Sequence, residues 1–303
     1  MRDMVTCFSE HAVKVSETTC SSYIPAATNH SISPAIQNAV VYLYKTTLIL
    51  TQKQFLITVT WCRNQLGQGG LSMNFGNTDD PSNSFRLNTF SRLFRKKKGQ
   101  KSFQTSDLSK IDLFWDLSSA TYHTGPEPVD GYYILVNVDS QLALTLGDLA
   151  HEAATKRLKG PTPWPKTSVV SRREHYSGNT LYCTKVQFCE FGIQHDIVIR
   201  CSEDQDKIKQ PVLYVSIDKR NVMKVRKLQW NFRGNQTVFI DGLLIDLMWD
   251  VHDWFFNSVS GFGVFMFKVR SGGESRLWLE EKLAQKDQDS VDFSLLLYAS
   301  KNT

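Results

Sequence analysis

Short apolar runs separated by polar turn residues dominate the chain from Ala39 onward. The runs are dense in Val, Ile, Tyr, Phe, Trp and Thr, and clusters of Gly, Asn, Asp and Pro lie between them. From Ile245 to His252, apolar residues occupy every second position, which is the period of a strand with one buried face. The pattern therefore predicts a mainly β protein built from antiparallel strands.

One hexapeptide occurs twice in the chain. The segments Ile111–Asp116 and Ile245–Asp250 agree at five of six positions. A Gln, and three residues later a Phe, precede both copies. Self-similarity of this kind indicates an internal duplication, here of a unit of about 100 residues. We therefore predict internally duplicated antiparallel β-sandwich-like domains, in which Trp115 and Trp249 occupy equivalent buried sites.

Two helices and two turns complete the predicted elements. A connector helix is predicted over 148–156, with an aspartate as its N-cap, and a C-terminal helix is predicted after Ser275. The dipeptide Gly234–Asn235 predicts a type II′ turn between two strands, because glycine suits its first central position. A further turn is predicted at Gly242.

These elements divide the chain into five segments. They are an irregular N-terminal arm over 1–36, a first β repeat over 37–147, a helix and Pro-rich linker over 148–175, a second β repeat over 176–270, and a C-terminal helix and strand over 271–303.

Bulk composition indicates a globular protein. The 303 residues are 41% hydrophobic and 21% charged, with a net charge of +5, and such values are typical of folded domains. No apolar run approaches the roughly 18 residues that a transmembrane helix needs. The first residues lack the apolar core of a secretory signal, so we expect neither a membrane span nor secretion.

The spacing of the six cysteines helps to predict the cellular compartment of the protein. They are Cys7, Cys20, Cys62, Cys183, Cys189 and Cys201. Without a secretory signal or a paired spacing, we expect reduced thiols and a cytoplasmic or nuclear location.

Two clusters of basic residues lie at corresponding places in the two predicted repeats. Their anion-binding candidates are Arg95, Lys96, Lys98 and Lys101 in the first cluster, and Lys224, Arg226 and Arg233 in the second. Phe94, Trp230 and Phe232 interleave with them. Surfaces of this kind bind the phosphates of lipids or nucleic acids. The alternatives are lysines that guard an edge strand against aggregation, and a nuclear import signal.

Asp246, Asp250 and His252 form the strongest acid/base constellation in the sequence. Residues two apart on a strand share one face about 7 Å apart, within reach of one substrate. The alternative is the solvated face of a strand whose other face holds Trp249, and we favour this interpretation.

Motifs for metals and cofactors are absent from the sequence. Cys7, His11 and Cys20 lack the closely paired spacing of a zinc site. No phosphate-cradling loop, dinucleotide fingerprint or nucleophile elbow occurs. We therefore assign no metal, no cofactor and no catalytic residue.

Six longer motifs carry a resemblance to a known family. They are Cys7–Val15, Phe94–Phe103, Trp115–Ala120, Val170–His175, Leu228–Gln236 and Trp249–Trp254. Together they resemble the plant-specific family called domain of unknown function 868, over about residues 7–298. The resemblance implies an origin in a land plant and brings no activity, cofactor or catalytic residue. The family pattern has a glycine where this chain has Lys219, so the turn after Asp218 departs from that pattern.

These observations favour a non-enzymatic intracellular binding or scaffolding protein of plants, with an unknown protein as its partner. Doubling a binding surface raises avidity through effective concentration, whereas doubling a catalytic site gives about a twofold gain in rate. Two alternatives remain open at this point. One is a binder of an anionic ligand, phospholipid or nucleic acid, through the two basic clusters, and the other is an Asp/His-dependent hydrolase.

Overall fold

The computed structural model describes ten stretches of the chain. They are residues 34–63, 69–76, 81–88, 97–157, 164–178, 181–190, 192–203, 211–256, 261–270 and 293–300. Several predictions lie outside these stretches: nearly all of the N-terminal arm, the C-terminal helix after Ser275, and the candidate residues Cys7, His11, Cys20, Arg95 and Lys96.

In the first half, the described stretches form ten strands and one α-helix. The strands are β1 (Ile36–Thr47), β2 (Gln54–Arg63), β3 (Gly69–Phe75), β4 (Ser84–Asn88), β5 (Lys98–Gln104), β6 (Lys110–Asp116), β7 (Thr121–Tyr122), β8 (Pro128–Asp130), β9 (Tyr133–Val138) and β10 (Gln141–Leu146). A 3₁₀ turn covers Pro81–Asn83, and the helix α1 runs over Ala150–Arg157, close to the predicted 148–156.

The second half contributes nine strands and a short helix to the described part of the chain. They are β11 (Lys166–Ser177), β12 (Leu181–Gln187), β13 (Gln194–Glu203), β14 (Pro211–Ile217), β15 (Arg220–Val225), β16 (Arg233–Ile240), β17 (Leu243–Asp250), α2 (His252–Phe256), β18 (Phe262–Val269) and β19 (Ser294–Ser300). The prediction of a mainly β, largely antiparallel protein is confirmed.

One large sheet runs through both halves of the protein. Its strand order is β16-β17-β18-β19-β11-β1-β2-β3-β4. The pair β11–β19 is parallel and the other neighbours are antiparallel. Two four-stranded sheets accompany it, β10-β9-β6-β5 from the first half and β12-β13-β14-β15 from the second. β11 begins within the predicted linker, and its pairing with β1 joins the two halves of the chain in a single nine-stranded sheet.

Both four-stranded sheets pack on the same face of the nine-stranded sheet. Directly paired residues point to the same side of a sheet, and one such row crosses all nine strands: Gly234, Trp249, Phe265, Leu297, Glu174, Val40, Trp61, Leu71 and Leu87. Phe265 and Leu297 belong to one apolar core, and Trp61 and Leu71 to another. The protein is therefore two sandwich-like halves that share one sheet.

The two hexapeptides form β6 and β17, and their local contacts correspond. Gly99 packs against the indole of Trp115, and Gly234 packs against the indole of Trp249. Trp115 is buried and Trp249 is half-buried. The residues before the two glycines also correspond. Lys98 forms an ion pair with Asp116 at the end of β6, and Arg233 forms one with Asp250 at the end of β17. Internal duplication itself stays a prediction.

The predicted type II′ turn at Gly234 and Asn235 is wrong. Both residues lie inside β16 and pair with Trp249 and Met248 of β17. A Cβ on Gly234 would lie 2.3 Å from Cζ2 of Trp249, so the glycine makes room for the ring and does not form a turn. The turn between β16 and β17 consists of Asp241 and Gly242, both with positive φ, as a type I′ turn requires.

Candidate functional site

The first basic cluster does not form one surface. Lys98 and Lys101 lie three residues apart on β5 and therefore point to opposite faces of its sheet. Lys98 forms an ion pair with Asp116, with 3.0 Å between Nζ and Oδ2. The ammonium of Lys101 lies 5.6 Å from the ring of Phe85 and 5.3 Å from that of Phe103. Each described lysine of the first cluster therefore has a local contact.

A cavity of about 410 Å³ lies beside Lys98, between α1 and the outer face of the first four-stranded sheet. Its lining residues are Lys98, Tyr133, Leu149, Glu152, Ala153, Lys156 and Arg157. Lys156 pairs with Glu152, and the guanidinium of Arg157 lies 4.6 Å from the centre of the Phe114 ring. The cavity extends along α1, from Leu149 just before the helix to Arg157 at its end. An anion in this cavity would have to compete with Glu152 for Lys156 and with the Phe114 ring for Arg157.

The second basic cluster is divided between two sheets. Lys224 lies on the outer face of the second four-stranded sheet, where it and Arg200 flank the ring of Tyr214 at 5.1 and 5.0 Å. Arg233 opens β16 of the nine-stranded sheet and pairs with Asp250, with 2.7 Å between Nε and Oδ2. Arg226 is exposed in the connection between these two sheets. Arg226 and Arg233 therefore lie at the same end of the second sandwich, whereas Lys224 lies on its side.

The three acid/base candidates are held in separate contacts. Asp246 and Asp250 lie on one face of β17, but the strand ends at Asp250 and His252 begins α2. Asp246 accepts hydrogen bonds from Arg270, at 2.6 and 3.1 Å, and from Thr237 at 2.7 Å. The hydrogen bond from Arg270 holds the pKa of Asp246 below its usual value, against the opposing effect of burial.

Asp250 and His252 lie where β17 ends and α2 begins, and both contact neighbouring residues there. Asp250 pairs with Arg233 through one oxygen and accepts the backbone N–H of His252 at 3.0 Å through the other. The latter contact caps the start of α2. The imidazole of His252 lies 3.0 Å from Asp253 and packs against the rings of Phe232 and Phe256. The contacts of all three residues stabilise the local fold.

A buried ionic cluster lies where the two sandwiches meet, and the sequence gives no sign of it. Glu174 is fully buried on the covered face of β11. Its carboxylate accepts hydrogen bonds from Tyr176 at 2.7 Å, Thr184 at 2.7 Å and Gln37 at 3.0 Å. Arg172 Nε lies 2.7 Å from Glu174 Oε1 and completes an ion pair. A buried carboxylate requires such a shell, because removing it from water is costly.

The connection between β6 and β9 supplies a second carboxylate to this cluster. Its Glu127 accepts a hydrogen bond from Tyr42 at 2.7 Å and lies 3.7 Å from Arg172. Burial raises the pKa of Tyr42, and the neighbouring Arg172 opposes that shift. Burial likewise raises the pKa of Tyr176. The acceptor oxygens of Glu174 and the hydroxyl of Tyr42 contact other protein groups, so the cluster links β1, β11 and β12 at the junction.

The connection between β15 and β16 presents a tryptophan to solvent. Trp230 is 80% exposed, although the turn around it is well anchored. Leu228 is fully buried, and the Asn231 carboxamide donates a hydrogen bond of 2.9 Å to the carbonyl of Arg226. The backbone N–H groups of Trp230 and Asn231 both donate to the carbonyl of Lys227. The exposure of Trp230 is therefore built into a defined turn.

Further aromatic residues lie at the same end of the second sandwich. The N–H of Val251 donates to the carbonyl of Phe232 at 2.8 Å and thereby joins this turn to the start of α2. Phe232 and Phe256 meet edge to face with their centres 6.0 Å apart. Phe256 is 60% exposed, and Phe262, at the start of β18, is 48% exposed. We refer to residues 226–232, α2 and Phe262 as the aromatic end.

Basic side chains surround the aromatic end. Arg226 and Lys227 are exposed, and Arg233 is exposed beside its partner Asp250. Sequence reasoning identified Arg226 and Arg233 as candidates and noted Trp230 and Phe232 between them. It did not identify Phe256 or Phe262, because only the fold brings α2 and β18 to this turn.

The described stretches offer no group of three or more His, Cys, Asp or Glu side chains arranged to hold a metal ion. No helix within those stretches is long and apolar enough to cross a membrane. The four cysteines that the structure describes carry thiols and form no disulfide.

Comparisons with known proteins place the chain in one family. A search of curated proteins and a search of solved structures found no significant match. The sequence profile described as plant protein of unknown function matches residues 35–301. This range covers both sandwiches and most of the chain, and it confirms the resemblance seen in the motifs. The protein belongs to the plant family named domain of unknown function 868.

Proposed function

We propose that the protein is a non-enzymatic binding protein whose contact surface is the aromatic end. The exposure of Trp230 on an anchored turn is the observation that carries this proposal. Full burial of a large apolar side chain stabilises a protein by about 1.5–3 kcal/mol, and the fold forgoes this gain at Trp230. Trp and Arg are also the residues most enriched at the energetic centres of interfaces.

Trp230 differs from isolated exposed apolar residues because other aromatic side chains lie at the same end of the sandwich. A single exposed side chain, such as that of Leu108 at 75%, is normal on a protein surface. Trp230 has Phe232 two residues away, and Phe232 in turn contacts the exposed Phe256. Contiguous exposed apolar residues with a polar rim are typical of interaction sites.

The contacts of the acid/base candidates favour binding over catalysis. Asp246 is committed to Arg270 and Thr237, and its lowered pKa makes it a poor proton donor near neutral pH. Asp250 is committed to Arg233 and to the cap of α2. These contacts support a structural role for both carboxylates, so we do not propose hydrolysis.

The nine-stranded sheet supports a scaffolding role. The strands β16, β17 and β18, which lead to or from the aromatic end, pair continuously with one another. Each of these strands places residues in the second core, among them Val238, Leu247 and Phe265. Interface residues held by a rigid scaffold lose little conformational freedom on binding. We place this activity in the cytoplasm or nucleus, in agreement with the described thiols.

Site-specific photocrosslinking tests the proposal. A benzophenone side chain at position 230 in the full-length protein is expected to give adducts with components of a plant extract. The same group at position 108, which is 75% exposed in the first half, is the matched control. Replacing Phe256 by serine should weaken the adducts at position 230. Identical adducts from positions 230 and 108 would contradict the proposal.

A further inference from the structure

We propose that the outer edge of β16 pairs with the same edge of a second copy of this chain. The nine-stranded sheets of the two copies would then continue into each other across a twofold axis. This contact uses a different surface from the aromatic end and goes beyond the proposed function.

β16 is the outermost strand at one side of the nine-stranded sheet. It pairs with β17 at all eight of its residues, and within the described stretches no strand lies on its other side. The outer edge of such a strand presents a row of N–H and C=O groups, which is a template for pairing with another chain.

The hairpin between β16 and β17 determines which backbone groups point outward. Its two-residue type I′ turn makes Ile240 and Leu243 a hydrogen-bonded pair. Just before β16, the carbonyl of Phe232 accepts the N–H of Val251. Hydrogen-bonded pairs alternate with other pairs along an antiparallel ladder. The even-numbered residues of β16 therefore bond to β17, and the odd-numbered residues direct their backbone groups away from it.

The outward backbone groups belong to four exposed residues, Arg233, Asn235, Thr237 and Phe239. Their side chains lie on the outer face of the nine-stranded sheet, because Gly234 lies on the covered face. Phe239 is 71% exposed. Arg233 is the first residue of the strand and forms an ion pair with Asp250. The edge therefore combines backbone donors and acceptors with a large exposed ring.

The other edge strands of the nine-stranded and four-stranded sheets are protected. Natural proteins keep edge strands from pairing with other chains by placing charged side chains, especially lysine, within them. Basic residues of this kind are Arg86 in β4, Lys101 in β5, Lys185 in β12 and Lys224 in β15. In the remaining edge strand, β10, the carbonyl of Ala143 accepts a hydrogen bond from Thr167. From Gly234 to Ile240, β16 contains no charged residue.

The strands β5 and β16 allow a direct comparison of a protected and an unprotected edge. Gly99 and Gly234 make the same contact with a tryptophan, so Lys101 and Gln236, two residues later, occupy corresponding positions. Lys101 pairs with the core residue Leu113 and points to the covered face of its sheet. An inward-pointing charge of this kind blocks the pairing of an edge strand. Gln236 brings no such charge to β16.

A second copy is the partner that fits this edge. We place the twofold axis at Gln236, so that Arg233 lies opposite Phe239 of the second copy and Asn235 lies opposite Thr237. All four outward residues then form hydrogen-bonded pairs. No like charges lie opposite each other, and a guanidinium beside an aromatic ring is favourable. The edge is therefore complementary to itself.

The protein joins its own two halves by the same kind of contact. β11 pairs with β1 on one side and with β19 on the other, and both four-stranded sheets pack on one face of the resulting sheet. A twofold axis perpendicular to the sheet would place the four-stranded sheets of the second copy on that face as well. Pairing at β16 therefore repeats an arrangement that the fold already contains.

Sedimentation velocity of the full-length protein over a concentration series tests the proposal, and a concentration-dependent dimer is expected. Asn235→Pro removes an outward N–H and should abolish the dimer, while the ladder between β16 and β17 keeps its bonds. Gln100→Pro makes the corresponding change on β5 and should leave the dimer unchanged. A monomer at every concentration, or equal effects of the two variants, would overturn the proposal.

Charge exchange at the twofold axis gives a second test. Gln236 lies opposite itself in the proposed pairing, so Gln236→Lys and Gln236→Glu should each weaken the dimer about fivefold through opposed like charges. An equimolar mixture of the two variants should restore association, which a folding defect could not do. A mixture that associates no better than each variant alone contradicts the proposed pairing.

Disulfide crosslinking identifies the partner of the edge. The two copies of residue 236 would form a non-hydrogen-bonded pair with Cα atoms about 4.5 Å apart, within the range of a disulfide. Under mild oxidation, Gln236→Cys should give a covalent dimer, whereas Lys101→Cys and the wild type with its six native cysteines should not. A crosslink from position 236 only to other proteins of a plant extract would overturn the second copy as the partner. Photocrosslinking at position 230 tests the aromatic end separately, so failure of the dimer leaves the proposed function intact.

Discussion

The carboxylate of Glu174 lies 2.7 Å from Nε of Arg172, and both side chains lie on the covered face of β11 where the two sandwiches meet. Glu174 is the charged member of a row that is otherwise made of glycine and apolar residues across nine strands. The apolar cores lie on either side of it. This ion pair therefore belongs to the interior of the protein, although the local sequence around it is polar.

Removing the carboxylate should destabilise the protein strongly. Glu174→Leu leaves Arg172 with the carbonyl of Lys185 and the more distant carboxylate of Glu127, so we expect a loss of about 3–5 kcal/mol in the free energy of unfolding. Urea denaturation measures it. Arg173→Leu changes the adjacent exposed residue and should lie within about 0.5 kcal/mol of wild type. Equal effects from the two substitutions would show that Glu174 is not an interior charge.

The contact between Gly234 and Trp249 gives a second prediction. A methyl group at position 234 would overlap the indole, so Gly234→Ala should cost about 1–3 kcal/mol. The cost should largely disappear when Trp249 is already leucine, because the overlapping ring is gone. A double-mutant cycle on thermal or urea unfolding checks this. Additive effects would argue against the contact.

The two repeated tryptophans should differ in their contribution to stability. Trp115 is 6% exposed, and its replacement by alanine should cost about 3–5 kcal/mol. Trp249 is half-buried, so Trp249→Ala should cost less. The free energies of unfolding of the two variants provide the comparison. A larger loss at position 249 would contradict the burial difference between the two halves.

The left-handed backbone at Lys219 predicts a stabilising substitution. Asp218 and Lys219 have φ values of 48° and 67°, the signature of a type I′ turn, and glycine is favoured at the second position. Lys219→Gly should stabilise the protein by about 0.5–1 kcal/mol by relieving this strain. Lys224→Gly, at a strand position without positive φ, should destabilise it. Melting temperatures of both variants test the pair.

Asp246 should make stability depend on pH. Its pKa is lowered in the folded state, mainly by the hydrogen bond from Arg270, so its stabilising effect is present above the unfolded pKa of about 3.9. The effect is lost as the pH falls through the folded pKa. The difference in unfolding free energy between wild type and Asp246→Asn should therefore shrink below about pH 4. A difference that grows as the pH falls would contradict the stabilising ion pair between Asp246 and Arg270. Glu190→Gln, at an exposed turn, is the control.

The sequence determined the β class, the strand alternation around Trp249 and the helix α1, because these depend on local periodicity and on turn residues. It also identified Arg226 and Arg233 beside Trp230 and Phe232. The error at Gly234 has a clear physical reason. A glycine admits either a turn or a close side-chain contact, and the choice depends on the indole of Trp249, which is distant in sequence.

The tertiary structure alone decided how the two halves join and which residues share a surface. No local pattern reveals that β11 pairs with β1, or that Glu174, in a polar stretch, lies in the interior with Tyr176 and Thr184 around it. The aromatic end likewise depends on antiparallel pairing, which brings α2 and β18 to the turn of Trp230. Long-range pairing depends on the combined burial of many residues, and a local sequence window does not contain that information.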